Sequence, residues 1–245
     1  MKQELEVLEK TDHPHITRVF ELLEDNRQYY VIMELVSGGN LLEKVIEMKS
    51  MTEPLAADII NQLLLSLNYM HSQGITHRDL KPENLLCEPS DGKQINVKLT
   101  DFGFACFYQK DQKLELSLGS PLYMAPELCA EEEYDQRVDV WSTGVIAYIL
   151  LSGMPPFVGQ SKDRIYSAIQ HSEPSFKKEI WRQVSSNAID FIKKCLNKDF
   201  NKRPEVSDLL KHPWLKEMVI EKSVSSNLQL EVGANLANFT KTSTF

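Results

Sequence analysis

Two short polar segments constrain this chain more than any other feature. The octapeptide His77-Arg78-Asp79-Leu80-Lys81-Pro82-Glu83-Asn84 is followed by Asp101-Phe102-Gly103. The residues between them read as two short strands, near 85–88 and 95–100, around Pro89-Ser90-Asp91-Gly92. Such a cluster of turn residues between apolar runs predicts a hairpin. A hairpin brings the chain back to its start, so Asn84 and Asp101 can meet although they lie seventeen residues apart. A fold for this sequence therefore has to present Asp79, Lys81, Asn84 and Asp101 at one place.

These residue types suit the transfer of a phosphoryl group. That chemistry needs a nucleophile held in line and negative charge neutralised, with little covalent work by the protein. The Asp79 carboxylate can orient a hydroxyl and accept its proton. Lys81, two residues on, can supply a point charge. Asn84 and Asp101 offer hard oxygen ligands, which suit Mg²⁺ rather than zinc or iron. Gly103 gives the turn after Asp101 backbone angles closed to other residues. Taken singly, each motif is usually just a loop or a capped or solvated turn; the ordered set is far more specific.

His77–Asn84, then Asp101-Phe102-Gly103, then Ala125-Pro126-Glu127, in this order, resembles a eukaryotic protein kinase,. The resemblance implies an α+β, two-lobed fold with a mainly helical C-lobe, and ATP and Mg²⁺ as cofactors. It implies Glu4 as the helix glutamate that pairs with a strand lysine. It implies Met33 at the back of the adenine pocket, Glu34 to Val36 as the hinge, and Leu86 as the floor. Thr100, Asn40 and Glu83 complete the nucleotide-side set. Leu8, Val19, His77 and Phe102 fall where kinases stack a spine, and Asp139 where they anchor the catalytic loop. Glu127 and Arg203 fall where a buried ion pair ties the activation segment down. Ser120 replaces a usual threonine and keeps a hydroxyl for Asp79 and Lys81. Lys81 two residues after Asp79 implies protein substrates with Ser or Thr acceptors. Arg78 can pair with a phosphate on the segment 101–127, where Ser117 and Ser120 are hydroxyls and Glu115 can stand in as a fixed negative charge; Ser117 reads first as an unmodified loop serine.

The run from Asp139 to Gly153, then Pro155-Pro156-Phe157, is similar to the calcium/calmodulin-dependent group and most like the calcium-dependent protein kinases. His212-Pro213-Trp214-Leu215 closes the catalytic domain as it does there. Asn40 departs from that group, which usually has a glutamate contacting the ATP ribose and a basic substrate residue. A preference for basic peptides is thereby weakened, with Glu83 remaining. No Asp-x-Asp-x-Asp-Gly loop occurs, so calcium would act only through a regulatory region outside this sequence.

Composition agrees. The chain has 245 residues, 42% of them hydrophobic, enough for a sizeable core,. A net charge of -8 without a basic block argues against a nucleic-acid partner,. Four cysteines without a CxxC pair read as reduced thiols, which suits the cytoplasm or nucleus,. The apolar run Val145–Leu151 is far short of the roughly 20 residues a membrane helix needs,.

Periodicity predicts helices over 2–10, after Gly38-Gly39, from Thr52 to Gly74, and over 139–152, 162–170, 185–196 and 205–211. Strands are expected near 16–23 and 28–35, with a turn at Glu24-Asp25-Asn26. Ile59, Ile60, Leu63, Leu64, Leu67 and Met70 recur at helical spacing and predict core. The expected division is an incomplete N-lobe over 1–35, a C-lobe over 36–215, and an extension over 216–245 whose pattern weakens. Asn235-Leu236-Ala237-Asn238-Phe239 resembles the start of the junction that follows the catalytic domain in calcium-dependent kinases. No G-x-G-x-x-G loop or strand lysine precedes Glu4, and Lys2 shares its helix. The chain is therefore expected to be truncated at both ends, with bare strand faces and little activity alone. The alternative reading is a non-catalytic kinase-fold binding module.

Overall fold

A computed structural model describes residues 2–90, 94–108, 114, 118–221, 230 and 232–242. The first helix, α1 (Lys2–Lys10), ends ahead of Pro14, which removes a helix donor and restricts the residue before it,. Strands β1 (Val19–Glu24) and β2 (Tyr29–Met33) pair antiparallel, with a bulge between Val19 and Glu21. Asp25 closes their turn: its carboxylate accepts the Arg27 and Gln28 N–H groups at 2.7 and 2.9 Å. Val19 and Val31 pack on the core, while Phe20, Leu23, Tyr30 and Ile32 are exposed, as the bare strand faces predicted.

Helix α2 (Leu41–Met48) starts with a capping box. Asn40 Oδ1 accepts the Glu43 N–H at 3.0 Å, and the Glu43 carboxylate takes the Asn40 N–H at 3.3 Å,. Helix α3 (Glu53–Ser72) is capped by Thr52, whose hydroxyl accepts the Leu55 N–H at 3.3 Å,. The predicted stripe from Ile59 to Met70 is fully buried. Each such side chain removed from water is worth about 1.5–3 kcal/mol. Glu53 joins distant segments at the head of α3: it accepts from the Ser185 backbone and hydroxyl at 2.9 and 2.5 Å and from the Trp214 indole at 3.0 Å. Gly74, at φ +70°, turns the chain out of α3 towards His77,.

Four short strands then frame the polar segments: β3 (Ile75–Thr76), β4 (Leu85–Cys87), β5 (Val97–Leu99) and β6 (Cys106–Phe107). β4 pairs with β5 and β3 with β6, both antiparallel. His77–Asn84 thus lies between β3 and β4, and Asp101–Gly103 between β5 and β6. The predicted turn residues Asp91 and Gly92 lie outside the described residues. Gln62 of α3 holds this layer from below, donating to Ile95 O at 2.9 Å and accepting the Val97 N–H at 2.9 Å.

The rest is helical: α4 (Pro126–Cys129), α5 (Arg137–Ser152), α6 (Lys162–His171), α7 (Ser186–Cys195), α8 (Val206–Leu209), α9 (Pro213–Glu221) and α10 (Val232–Thr242). Every residue of α5 from Val138 to Ser152 is buried, as befits a helix packed on all sides,. The expected helix over 205–211 is the shorter α8.

The described residues after Lys216 carry more structure than the weak pattern there predicted. Leu230 exchanges backbone hydrogen bonds with Met51 at 2.8 and 2.9 Å, and the Gly233 N–H donates to Lys49 O at 3.0 Å. Val232 and Leu236 are buried, and α10 packs on α2 and α5. Two apolar side chains four residues apart suffice once a groove receives them, because helix stability comes mostly from packing. Among the described residues no helix is long and apolar enough to cross a membrane.

Candidate active site

Asp79 sits at the centre of the site, 3% exposed. Its Oδ2 accepts from Lys81 Nζ at 2.7 Å. Its Oδ1 accepts from the Ser120 backbone and hydroxyl, both at 2.9 Å. Lys81 Nζ also donates to Ser120 Oγ at 3.1 Å. The hydroxyl kept at Ser120 thus reaches both expected partners. Burial pushes the Asp79 carboxyl up, but Lys81 and the Ser120 donors outweigh it and hold the pKa below the ordinary carboxylate value,.

Asn84 is locked beside it. Its side-chain amide donates to the Asp79 carbonyl at 2.9 Å, and its backbone carbonyl accepts the Thr100 N–H at 3.0 Å. That last bond joins the octapeptide to the residue before Asp101, as the hairpin argument predicted. Asp101 is exposed, at φ +62°, with Oδ1 on the Gly103 N–H at 3.3 Å. Such a φ on a non-glycine residue is uncommon and costs strain.

The loop is anchored from the floor. Asp139, 1% exposed, accepts the His77 and Arg78 backbone N–H groups at 3.0 and 2.9 Å, and His71 Nε2 lies 2.8 Å away. Burial opposes the Asp139 charge, but His71 and His77 bring its pKa below the usual value. His77 is buried against Phe102, with ring centroids 5.3 Å apart. Its Nδ1 accepts the Asp79 N–H at 3.3 Å and its Nε2 faces Thr100 O at 3.2 Å, which fits a neutral ring carrying its proton on Nε2,. Burial lowers the His77 pKa against the pull of Asp139. Leu8 is buried and Val19 partly so, both in the same core as Phe102.

The Arg78 guanidinium is already engaged. Nε donates to Phe104 O at 2.6 Å and Nη1 to the Tyr134 hydroxyl at 3.0 Å. Glu115 and Ser117 lie outside the described residues. Glu127 and Arg203 form the expected buried pair, with two bonds of 2.6 and 2.5 Å.

The upper side is more open. Glu4, half-buried, has its carboxylate near Gly103: a Cβ built there would lie 4.0 Å from Oε1. No lysine pairs with Glu4 among the described residues. Met33 is 40% exposed and Leu35 90%. Glu34 accepts the Arg18 N–H at 2.7 Å and pairs with Lys98 at 3.0 Å. Val36 and Leu86 are half-buried and Glu83 is exposed. Gly38 N–H donates to Cys87 O at 2.9 Å and Cys87 N–H to Gly39 O at 2.8 Å, so the hinge is stapled to β4. A Cβ on Gly38 would stand 2.4 Å from Cys87 O, which leaves only glycine. Asn40 spends its side-chain oxygen on the α2 cap.

The family profile described as "Protein kinase domain" matches residues 1–215. The chain belongs to the protein kinase family. This kinase chain is 37% identical over 239 residues to "Calcium-dependent protein kinase 3" of Plasmodium yoelii yoelii, covering 97% of itself and 44% of that protein. It is 39% identical over 234 residues to "Calcium/calmodulin-dependent protein kinase type 1" of Macrobrachium nipponense, covering 94% of itself and 67% of the relative. It is 39% identical over 216 residues to "Myosin light chain kinase A" of Dictyostelium discoideum, covering 88% of itself and 73% of the relative. The kinase chain thus spans less than half the length of the calcium-dependent kinases it matches.

Three residues that support the candidate site escaped the sequence reading. His71, Gln62 and Tyr134 are polar groups within apolar surroundings. The signal was available: a polar side chain on a buried face has to find a partner. Its partner, however, lies 33 to 68 residues away in sequence and no spacing rule names it.

Proposed function

We propose that this chain carries the phosphotransfer site of a Ser/Thr protein kinase of the calcium-dependent type, moving the γ-phosphate of ATP to a protein hydroxyl. The observation that carries the reading is the Asp79 carboxylate. It is buried and ionised, and Lys81 at 2.7 Å and Ser120 at 2.9 Å fix its direction. Asp79 orients the acceptor hydroxyl and takes its proton, and Lys81 meets the charge on the transferred group. Ser120 ties the base to the segment that would receive the substrate backbone.

The donor set fits Mg²⁺. Asn84 commits its NH₂ to Asp79, and among the described residues no donor reaches its side-chain oxygen. Asp101 is exposed, with one weak backbone bond. Two hard oxygens, the Asp101 one exposed, suit a cation that keeps waters and phosphate oxygens as its remaining ligands,. When bound, Mg²⁺ neutralises phosphate charge. Leu86, Val36 and the stapled hinge would hold the adenine from below, with Met33, Glu34 and Thr100 beside it. Asn40 and Glu83 would face the ribose and a basic substrate residue. The division at 1–35, 36–215 and 216–245 belongs to the same proposal, as does Glu4 as the lysine-pairing glutamate. Protein or peptide substrates follow from it; calcium control would need a region beyond these residues.

The alternative reading is a kinase fold that binds partners without transfer. Incubation with γ-labelled Mg-ATP and a mixed Ser/Thr peptide pool separates the two. Transfer that falls by about 10²-fold or more in Asp79→Asn supports the enzyme reading. No transfer, together with retained peptide binding, supports the second.

A further inference from the structure

Tyr134 lies outside every motif that identifies the site, yet three parts of the site converge on it. Its hydroxyl accepts from Arg78 Nη1 at 3.0 Å. Its backbone exchanges two hydrogen bonds with Leu114, each of 3.0 Å, so it holds that one residue of the stretch after Asp101-Phe102-Gly103. Through Arg78 it also meets the start of that segment, because Arg78 Nε donates to Phe104 O at 2.6 Å. The ring is fully buried.

What Arg78 does locally makes this contact matter. Arg78 has φ +71°, a left-handed conformation that a non-glycine residue holds only when its surroundings fix it,. Three restraints are visible. Asp139 holds its N–H at 2.9 Å, Phe104 its Nε, and Tyr134 its Nη1. Its carbonyl is pressed against Gly119, where an added Cβ would approach to 2.9 Å. The next residue is Asp79, so the direction of the catalytic carboxylate depends on the strained φ of its neighbour. Of the three restraints, the Tyr134 hydroxyl alone is a side chain whose own backbone is bonded to the activation segment.

We propose that Tyr134 is a positioning residue for Asp79: it couples the placement of Leu114 to the Arg78 conformation that aims the base. The proposal rests on the phosphotransfer reading of Asp79, but its test does not need turnover. Tyr134→Phe removes the hydroxyl and keeps the ring, so the core stays filled. Amide hydrogen exchange of the full chain is followed in the wild type and in this variant.

The expected result is local. Exchange at Arg78, Asp79 and Ser120 rises by about fivefold or more, the effect of one lost buried hydrogen bond, while α5 and α7 keep their protection. If the wild type transfers phosphate, Tyr134→Phe lowers kcat by a similar factor and leaves the KM for ATP unchanged. Arg78→Lys, which cannot make the same fork, gives the same local change, and the double variant adds little to either single one. Unchanged exchange at Arg78 and Asp79, or a uniform rise across α5 and α7, overturns the proposal. Loss of turnover in the wild type, with the local exchange change intact, counts against the phosphotransfer reading and leaves the positioning role standing.

Discussion

Arg203 faces Glu127 through a two-bond fork of 2.6 and 2.5 Å, and both side chains are buried. Arg203 also donates to the carbonyls of Asn197 and Arg137, at 2.7 and 3.1 Å. The pair therefore joins the helix after Ala125 to the loop before α8. Removing one member strands a charge without water. Glu127→Ala or Arg203→Ala should each lower unfolding stability by about 3–5 kcal/mol in urea. Replacing both by leucine and methionine should cost less than either single change, because no orphaned charge remains.

The second prediction concerns pH. His77 is satisfied as a neutral ring: Nδ1 accepts from the Asp79 N–H, and Nε2 faces the Thr100 carbonyl. Burial lowers its pKa below 6.5, so below that pH the unfolded chain takes up a proton that the folded chain refuses,. The stabilisation is complete above pH 6.5 and is lost as pH falls towards the folded value. Asp79 and Asp139, both lowered, add a second loss below their unfolded pKa near 3.8,. Urea midpoints taken from pH 7.5 to 5 should decline for the wild type and decline less steeply for His77→Phe, in which His13 and His212, also lowered by burial, keep part of the slope,. Equal slopes in the two proteins would contradict the assignment.

Much of this site could be read from the chain because its chemistry is local. Asp79, Lys81 and Asn84 lie within six residues, and the hairpin that returns Asp101 is signalled by Pro89 and the flanking apolar runs. The stripe on α3 was equally legible, since burial follows the helical period. What stayed hidden depends on who meets whom across the fold. Nothing in the sequence near Glu53 announces Ser185 and Trp214, and nothing near Arg78 announces Tyr134. Asn40 shows the opposite limit. Its spacing to Glu43 is a capping-box signature that the structure forms, and the resemblance to a family contact gave no hint of it,.

The third prediction tests how α10 is seated. A Cβ added to Gly233 would lie 2.5 Å from Lys49 Cα and 2.7 Å from Val45 O, both backbone atoms that cannot swing aside. Gly233→Val should therefore lift α10 from α2 and α5. The expected signs are protease cleavage within 232–242 and a stability loss of about 1–3 kcal/mol. Leu236→Ala leaves the backbone approach intact and instead opens a cavity, at a cost of about 2–5 kcal/mol,. An α10 that stays protected in both variants would show that the helix is held by something other than this groove.

The last prediction follows from the β1–β2 hairpin. Leu22 pairs with Val31 on the inner side, while Leu23 stands opposite Tyr30, and both of those are exposed by more than 40%. Ile32 and Phe20 extend the exposed apolar surface, and β2 pairs only with β1 among the described residues. An apolar face beside an open strand edge is a template for self-association. Leu23→Lys with Ile32→Lys should raise the monomer fraction in light scattering and leave stability within about 0.5 kcal/mol, since neither side chain packs inward. Tyr30 is kept, because its hydroxyl donates to Asp25 at 2.9 Å and steadies the turn. Val31→Lys is the control: it places a charge on the inner face and should loosen the hairpin, increasing association. If the outward lysines cost as much stability as Val31→Lys, the outer face is not free, and the order of the two sides would have to be reversed.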